Sequence, residues 1–369
     1  MTTVQEDVDA IQARRQEQLE NWARQAMTER DGQDPGPLHA RSLGGDASFR
    51  RYFRCRIHAV ARLLVDAPPD REDNPAFVRA AAEFSRAGMR TPEILARNLE
   101  QGFLVVEDFG DQLYWPALLE AQRDGDMERV EKLYGQAMLA LLDLQADQHE
   151  SDLPPYDRGR LEQEMRLFDD WFCSEMLNWP ISDSERTLLQ QTRQLLCDAA
   201  LQQPQVRVHR DYHSRNLMIP VDAGGVHHED QPPGVIDFQD AVIGPVSYDL
   251  VSLLRDCYVA WPTADVRRWV NGYARLARQR GILPAGYTDA DMQRDFDLMG
   301  LQRHIKVLGI FCRLALRDGK QRYLADLPLV MHYVVTVASE HAELAAFVDW
   351  FRRGPMPAMQ QKLRDLGLS

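Results

Sequence analysis

A short polar stretch between two strand-like runs constrains the fold of this chain more than any other feature. Residues 209–216 read His-Arg-Asp-Tyr-His-Ser-Arg-Asn. They begin at the end of the strand-like run Val206–His209 and precede the apolar residues 217–219. Short apolar runs bounded by polar residues are typical of buried β-strands. A third such run, Val235–Asp237, ends in an aspartate. The pattern therefore predicts carboxylate and amide side chains at the ends of short strands.

These residue types suit phosphoryl transfer from a nucleotide to a hydroxyl group. The reaction needs one carboxylate that accepts or orients the attacking hydroxyl, and oxygen ligands that hold magnesium on the nucleotide phosphates. Asp211 lies five residues before Asn216, which is the spacing of the kinase catalytic loop, and Asp237 takes the place of the metal-binding aspartate. The alternative is an ordinary polar turn in which Asp211 hydrogen-bonds within its own loop.

The predicted elements divide the chain into a small β-rich part and a larger helical part, which meet near residues 107–110. The first part has predicted strands at Ser48–Ile57, Ala59–Val65, Glu93–Arg97 and Gly102–Asp108, and predicted helices at Val4–Met27 and Pro75–Ala87. The second part has predicted helices at Met127–Gln148, Arg160–Met176, Asp183–Gln203, Tyr248–Ala260, Asp265–Arg280, Asp289–Arg317 and Leu327–Phe347. Separate blocks of strands and helices indicate an α+β fold.

Composition argues against several classes of protein. The chain has 43 basic and 56 acidic side chains, and its net charge of −13 argues against a surface for nucleic acid or an anionic membrane. No apolar run approaches the ~18 residues that span a bilayer, and residues 1–16 lack the apolar core of a signal peptide. The five cysteines are widely spaced and odd in number, which favours reduced thiols. We therefore expect a cytoplasmic protein with small-molecule partners and with no nucleic-acid or membrane partner.

The stretch 209–216 and the sequence Val-Ile-Asp-Phe at 235–238 resemble the aminoglycoside phosphotransferase and small-molecule kinase superfamily, whose members are relatives of protein kinases. Other stretches resemble one subgroup, the bacterial cell-wall-recycling kinases that phosphorylate the anomeric hydroxyl of N-acetylmuramate and N-acetylglucosamine. Those stretches are 48–54, 66–69, 102–110, 237–242, 244–250 and 302–307. The resemblance implies a bilobal protein-kinase-like fold. A nucleotide-binding lobe would span 1–109 with the N-terminal helix, and a catalytic and substrate-binding lobe would span 110–369.

The resemblance also implies roles in catalysis. Asp211 would be the catalytic base, and Asn216 and Asp237 would bind Mg²⁺. His209 and Asp249 would support the catalytic loop. For Asp249 the alternative is that the helix dipole favours an acidic residue in a first helical turn without any function.

A second set of residues would bind ATP. The loop with Gly44, Gly45 and Ser48 would cover the phosphates, because glycines let backbone N–H groups approach an anion closely. A plain turn is the alternative for this Gly-Gly-Asp sequence. Glu107 and Phe109 would belong to the interlobe hinge, whose backbone groups hold the adenine, and the alternative there is simply the end of a strand.

The chain departs from the superfamily in its lysines. Most members carry a lysine on the third strand that pairs with the nucleotide phosphates, but here the run 62–66 has none, and the first lysine of the chain is Lys132. Either the phosphate loop and magnesium suffice, or an arginine such as Arg50, Arg51 or Arg62 takes the role. Arginine presents a planar fork instead of a compact point charge, so the exchange is not neutral.

A basic segment bears on the substrate. Residues 301–323 hold six lysines and arginines against one acidic residue, and a helix would bring four of the six to one side. Those four are Arg303, Lys306, Arg313 and Arg317. Such a stripe favours an anionic partner, such as the lactyl carboxylate of N-acetylmuramate, over a polycationic aminoglycoside. The alternative is that these groups pair with acidic residues elsewhere. The expected substrate-binding residues are Arg303, His304, Lys306 and Asp240.

Three hypotheses follow. The first is a kinase that uses ATP and Mg²⁺ to phosphorylate the anomeric hydroxyl of N-acetylmuramate or N-acetylglucosamine in peptidoglycan recycling. The second is an aminoglycoside or other small-alcohol phosphotransferase on the same scaffold. The third is a nucleotide-binding pseudokinase scaffold, which the missing lysine favours and the intact Asp211, Asn216 and Asp237 oppose.

Overall fold

The α+β class predicted from the sequence is confirmed by the computed structural model, which describes residues 2–44, 49–221 and 226–368. The chain forms two units. Met1–Leu113 with Met218–Asp240 is the N-terminal unit, and Tyr114–Leu217 with Ala241–Ser369 is the C-terminal unit. The first holds a small antiparallel sheet and the second is mostly helical. The assignment of nucleotide binding to 1–109 and of catalysis to 110–369 stays a prediction.

The sheet of the N-terminal unit has five strands. They are β1 (Arg41–Ser42), β2 (Arg51–Ile57), β3 (Val60–Asp66), β4 (Ile94–Asn98) and β5 (Phe103–Glu107), in the order β1-β2-β3-β5-β4. Two helices accompany it, α1 (Thr2–Asp31) and α2 (Asn74–Arg86). His58 and Ala59 join β2 to β3 with φ angles of 48° and 67°. A two-residue turn of this kind matches the twist of the strands and fixes their register, with Arg51 opposite Asp66.

Helix α1 covers one face of this sheet, the α1 face. Leu19, Ala23 and Met27 of the helix pack into a buried cluster with side chains of three strands. The strand members of the cluster are Phe53, Cys55, Ile57, Leu64, Phe103 and Val105. Because side chains alternate along a strand, the residues between them point to the opposite face.

The C-terminal unit is built around one long helix. Its helices are α3 (Tyr114–Asp124), α4 (Met127–Ala146), α5 (Arg158–Leu167), α6 (Asp183–Gln202), α7 (Tyr248–Leu254), α8 (Thr263–Gln279), α9 (Asp289–Arg317), α10 (Leu327–Ala338), α11 (Ala345–Arg353) and α12 (Pro355–Asp365). Helix α9 has the bounds predicted from the sequence, because Thr288 and Asp291 form a capping box at its start. It packs against α5, α6, α7, α8 and α10. At Gly309 the backbone of Leu167 is so near that an added Cβ would lie 2.2 Å from its carbonyl carbon.

The remaining strands are short. They are β6 (Gln205–Val208), β7 (Leu217–Met218), β8 (Gly234–Val235) and β9 (Val242–Pro245). In the C-terminal unit β6 pairs with β9 in antiparallel register, Val208 opposite Val242, so the polar stretch that follows β6 begins at a buried strand end.

Several predicted helices differ from those observed. The predicted helix 160–176 is α5 followed by a π-helix at Phe168–Met176, and the predicted helix 327–347 is interrupted by a 3-10 turn at Ala342–Leu344. The predicted helix 248–260 stops at Leu254, because the buried Asp256 accepts hydrogen bonds that turn the chain away. The sequence did not predict α3 and α12, whose first turns contain proline, a residue that the first turn of a helix tolerates.

All five cysteines lie among the described residues, where each is buried and none forms a disulfide. Across the same described ranges, no helix has the length and apolar character needed to cross a membrane.

Candidate active site

The backbone of the polar stretch 209–216 is held by Asp249. This fully buried carboxylate lies in the first turn of α7, and it accepts hydrogen bonds from the backbone N–H groups of His209 at 2.6 Å and Arg210 at 2.9 Å. Burial raises the pKa of Asp249 to about 7, although both hydrogen bonds favour its ionised form. Arg210 adopts a left-handed φ of 78°, a conformation that costs about 1–3 kcal/mol and persists only where its surroundings impose it.

Asp211 follows as a partly exposed carboxylate. Its backbone N–H donates to Nδ1 of His209 at 3.2 Å, and its carbonyl accepts from Nδ2 of Asn216 at 3.0 Å. Burial acts to raise the pKa of Asp211, but positive charges, led by Lys306, outweigh it and lower that pKa. An ionised carboxylate is therefore presented at neutral pH, and it can accept a hydrogen bond from a hydroxyl group.

The positive charges near Asp211 are organised by Glu164 of α5, a residue that the sequence did not single out. Its carboxylate accepts from the guanidinium of Arg210 and from the hydroxyl of Tyr156, and it lies 3.0 Å from Nζ of Lys306. Nζ of Lys306 also donates to the Tyr248 hydroxyl at 3.2 Å. Burial acts to raise the pKa of Glu164, and the two cations outweigh it and lower that pKa. Glu164 thus holds Lys306 beside the loop 209–216 and fixes Arg210 within that loop.

The four basic side chains predicted to share one side of α9 differ in their burial. Lys306 is 8% exposed and Arg303 is 4% exposed, with a guanidinium nitrogen 3.5 Å from Sγ of Cys257. The other two, Arg313 and Arg317, are half-buried and exposed respectively, and Arg317 pairs with Asp318. Burial on all sides of α9 explains the difference, because the helix packs against five others.

His304 is part of the interior. It is fully buried, its ring stacks on Tyr333 with centroids 4.8 Å apart, and Nε2 lies 3.1 Å from the carbonyl oxygen of Arg255. Burial lowers its pKa to about 3, so the ring is neutral at ordinary pH. Its expected contact with substrate stays a prediction, and its surroundings suit a packing role.

A second cluster that the sequence did not identify follows Asp211. Asp256 is fully buried and accepts from the backbone N–H of Ser214 at 3.0 Å, while the Ser214 carbonyl accepts from the backbone N–H of Trp115 at 2.9 Å. The guanidinium carbon of Arg215 lies 4.3 Å from the ring centroid of Trp115 and 3.6 Å from that of Tyr258. These contacts fix α3 and the segment after α7 to the loop 209–216. The position of Arg215 within the polar stretch 209–216 was the sequence signal that could have pointed to this cluster.

In the N-terminal unit, Asp237 is exposed and has a left-handed φ of 66°. Nε2 of Gln239 donates to its Oδ1 at 2.8 Å. The next residue, Phe238, is buried and packs against Phe77 and Phe84 of α2, with ring centroids 4.9 and 6.0 Å apart. A buried ring directly after the aspartate explains how a strained backbone is held there. Asp240 is also exposed.

The expected hinge is cross-linked within the same unit. Arg54 forms ion pairs with Asp108 and Asp111, and one of its nitrogens donates to the carbonyl of Gly110 at 3.1 Å. The backbone N–H of Glu107 donates to the carbonyl of Glu93 at 2.9 Å. Phe109 is buried against Gly234, where an added Cβ would lie 2.5 Å from the phenylalanine ring. These contacts order residues 107–111.

Of the four residues expected to bind phosphate, the structure describes Gly44 and Arg62. Gly45 and Ser48 lie outside the described residues. Gly44 has a φ of 81°, and its N–H donates to Oγ of Ser42 at 3.2 Å. Arg62 stands opposite Cys55 and therefore lies on the α1 face, which favours packing on that helix.

Of the residues predicted to form the site, the structure brings six together in the C-terminal unit: Asp211, Asn216, His209, Asp249, Arg303 and Lys306.

Known proteins match this chain over most of its length. A family model described as the phosphotransferase enzyme family matches residues 39–288. A relative from Pseudomonas putida, named N-acetylmuramate/N-acetylglucosamine kinase, is 41% identical over 310 residues, which cover 84% of this chain and 86% of the relative. A relative of the same name from Neisseria meningitidis is 37% identical over 332 residues, 90% of this chain and 93% of the relative.

Solved structures share the fold at low identity. Plasmodium vivax ethanolamine kinase gives a TM-score of 0.57 at 11% identity, over 80% of this chain and 82% of that one. The ADP-bound aminoglycoside phosphotransferase APH(2'')-Ib gives a TM-score of 0.52 at 13% identity, over 80% of this chain and 92% of that one. The predicted kinase-like fold is therefore confirmed.

Proposed function

Because this chain belongs to the phosphotransferase enzyme family, we propose that it transfers the terminal phosphoryl group of ATP to the anomeric hydroxyl of N-acetylmuramate, N-acetylglucosamine or both. The observation that carries the proposal is the ionised Asp211 on a loop fixed by Asp249. We further propose that it is a bacterial cytoplasmic enzyme of peptidoglycan recycling, since both relatives come from bacteria and are named as kinases of amino sugars.

Asp211 orients the sugar hydroxyl and accepts its hydrogen bond while the phosphoryl group is transferred. Its lowered pKa keeps it ionised, and the hydrogen bonds from Asn216 to its carbonyl and from its own N–H to His209 fix the backbone that carries it. The nearby cations Arg303 and Lys306 give this region a positive field, which suits a substrate with a carboxylate. In the proposal these two cations act on the substrate by charge, and His304 and Asp240 are the other two residues proposed to bind it.

Asn216 and Asp237 are the proposed Mg²⁺ ligands. Oxygen donors are what this cation prefers, and the two residues supply an amide and a carboxylate. The amide nitrogen of Asn216 is held by the Asp211 carbonyl, which orients its oxygen away from that bond, and Asp237 is exposed on a strained backbone. When bound, the cation would neutralise charge on the nucleotide phosphates.

The proposed nucleotide-binding residues come from the N-terminal unit. Gly44, Gly45 and Ser48 would contact the phosphates, and the backbone at Glu107 and Phe109 would hold the base. The cross-linking of 107–111 by Arg54 supports a rigid segment suited to that purpose.

A substrate panel tests the proposal. The protein is incubated with ATP, Mg²⁺ and one of N-acetylmuramate, N-acetylglucosamine, glucose, choline or kanamycin, and ADP release is followed. We expect turnover with at least one of the two amino sugars and a reducing end that becomes blocked by phosphate. Turnover of kanamycin but neither amino sugar would overturn the proposal, and ATP binding without turnover of any compound would indicate a scaffold.

A further inference from the structure

The N-terminal unit contains no lysine. The four lysines of the chain are Lys132, Lys306, Lys320 and Lys362, and all of them belong to the C-terminal unit. Arginine is the other side chain that stays charged at neutral pH, and its fork suits phosphate oxygens. A permanent cation for nucleotide phosphates in this unit must therefore be an arginine.

Strand register separates the candidate arginines by face. Arg51 stands opposite Asp66 and forms an ion pair with it, and Asp66 also pairs with Arg15 of α1. Arg62 stands opposite Cys55, a member of the cluster under α1. Both arginines therefore lie on the α1 face, which the helix covers.

Arg50 precedes β2 and points to the opposite face. It is only 2% exposed, and its guanidinium carbon lies 4.7 Å from the ring centroid of Phe77. A guanidinium nitrogen lies 3.5 Å from Oε2 of Glu72, whose other oxygen accepts from the backbone N–H of Phe49 at 2.9 Å. Glu72 thereby positions the guanidinium through opposite charge.

Arg50 also lies on the same side as Asp237. The ring of Phe77 packs against Phe238, the residue that follows Asp237. Arg50 and the residue next to the proposed magnesium ligand thus contact the same aromatic ring.

We propose that Arg50, oriented by Glu72 and Phe77, contacts the phosphates of the bound nucleotide in place of the lysine found in related kinases. That the ligand is a nucleoside di- or triphosphate rests on the proposed kinase function. The contacts that orient Arg50 all lie within the N-terminal unit.

The test combines direct nucleotide binding with kinetics. Arg50→Gln should weaken ADP binding, measured by calorimetry without sugar, by about 10- to 100-fold, which is the scale of a lost charge-assisted contact. The KM for ATP should rise by a similar factor while the KM for the sugar changes little. Arg50→Lys should recover part of the affinity, because it restores the charge without the fork.

Arg56→Gln is the matched control. Arg56 lies on β2 with the same orientation as Arg50, but it is exposed and donates to the carbonyl of Ala59, so ADP affinity should not change. If Arg50→Gln does not fold, the ADP affinities of Arg50→Lys and Glu72→Gln test the proposal instead. Both variants should bind ADP more weakly than the unchanged protein.

Two outcomes distinguish failure of the Arg50 assignment from failure of the proposed amino-sugar kinase function. Unchanged ADP affinity in a folded Arg50→Gln protein, or a loss with Arg62→Gln instead, would overturn the assignment while amino-sugar kinase activity remained intact. Loss of ADP affinity in a protein that phosphorylates neither amino sugar would support Arg50 and overturn the proposed substrate.

Discussion

Substitution of Glu164 by glutamine tests whether one half-buried carboxylate stabilises the loop 209–216. The change keeps the size of the side chain and removes its charge, leaving the buried Lys306 and the half-buried Arg210 without their shared anion. At 3.0 Å the attraction between Lys306 and Glu164 is about 5 kcal/mol for an effective dielectric constant of ~20. The cost of removing the two charges from water offsets part of this attraction, and removing one partner of a buried ion pair costs about 3–5 kcal/mol. We therefore expect Glu164→Gln to lower the free energy of unfolding by about 3–5 kcal/mol.

Urea unfolding followed by tryptophan fluorescence measures this loss in the relevant unit. Six of the seven tryptophans lie in the C-terminal unit, and Trp22 is the exception. Glu162→Gln is the matched control on the same helix, because Glu162 is half-buried and lies 3.9 Å from the exposed Arg158, and it should cost no more than about 0.5 kcal/mol.

A double-mutant cycle with Lys306→Met isolates the pair. Once Lys306 is replaced, loss of Glu164 should cost less, giving a coupling of about 1–3 kcal/mol. Equal losses for Glu164→Gln and Glu162→Gln, or a coupling near zero, would refute the reasoning.

Three further predictions concern the proposed reaction. Asp211→Ala should lower kcat by about 10²-fold or more in steady-state assays while ADP affinity is nearly kept, and equal activity would remove Asp211 from its assigned role. Asp237→Ala should weaken ADP binding in the presence of Mg²⁺ but hardly in its absence, so an equal loss in both calorimetric titrations would argue against a metal ligand. Because the pKa of Asp211 is lowered, the ionised form persists to low pH and kcat/KM should fall only as pH drops through that lowered value. Burial alone would raise the pKa of Asp211, and Lys306 is the charge that lowers it most. Lys306→Met should therefore raise that pKa and shift the acidic limb of the pH profile to higher pH. An unshifted limb would show that another group controls it.

Features that depend on neighbouring residues alone were predicted correctly from the sequence. The cap residues Thr288 and Asp291 define the start of α9, and its predicted bounds are confirmed. The polar stretch 209–216 between strand-like runs correctly located a loop after β6, because buried strand ends followed by polar residues depend on neighbouring sequence alone.

Features that depend on packing were not predictable from one segment. Glu164 meets Lys306 only because α5 lies against α9, and nothing in the sequence around either residue indicates the pair. Helical periodicity placed Arg303 and Lys306 on one side of α9 but not inside the protein, since that requires knowing that helices surround α9. Similarly, a run of arginines does not show which of them faces α1 until the register of β2 with β3 is known.

The packing of Phe238 between Phe77 and Phe84 has a consequence for synthesis of the protein. The nascent N-terminal unit has its sheet and α2 by residue 113, but Phe238 and the Val235 N–H that donates to the Arg90 carbonyl arrive more than a hundred residues later. At ~5–20 residues per second the ribosome needs on the order of ten seconds for that interval. During it, two aromatic rings of α2 lack their native neighbour. A fragment that ends at residue 113 would lack that neighbour permanently, because the β-rich unit is completed by residues 218–240, which emerge after the whole loop 209–216.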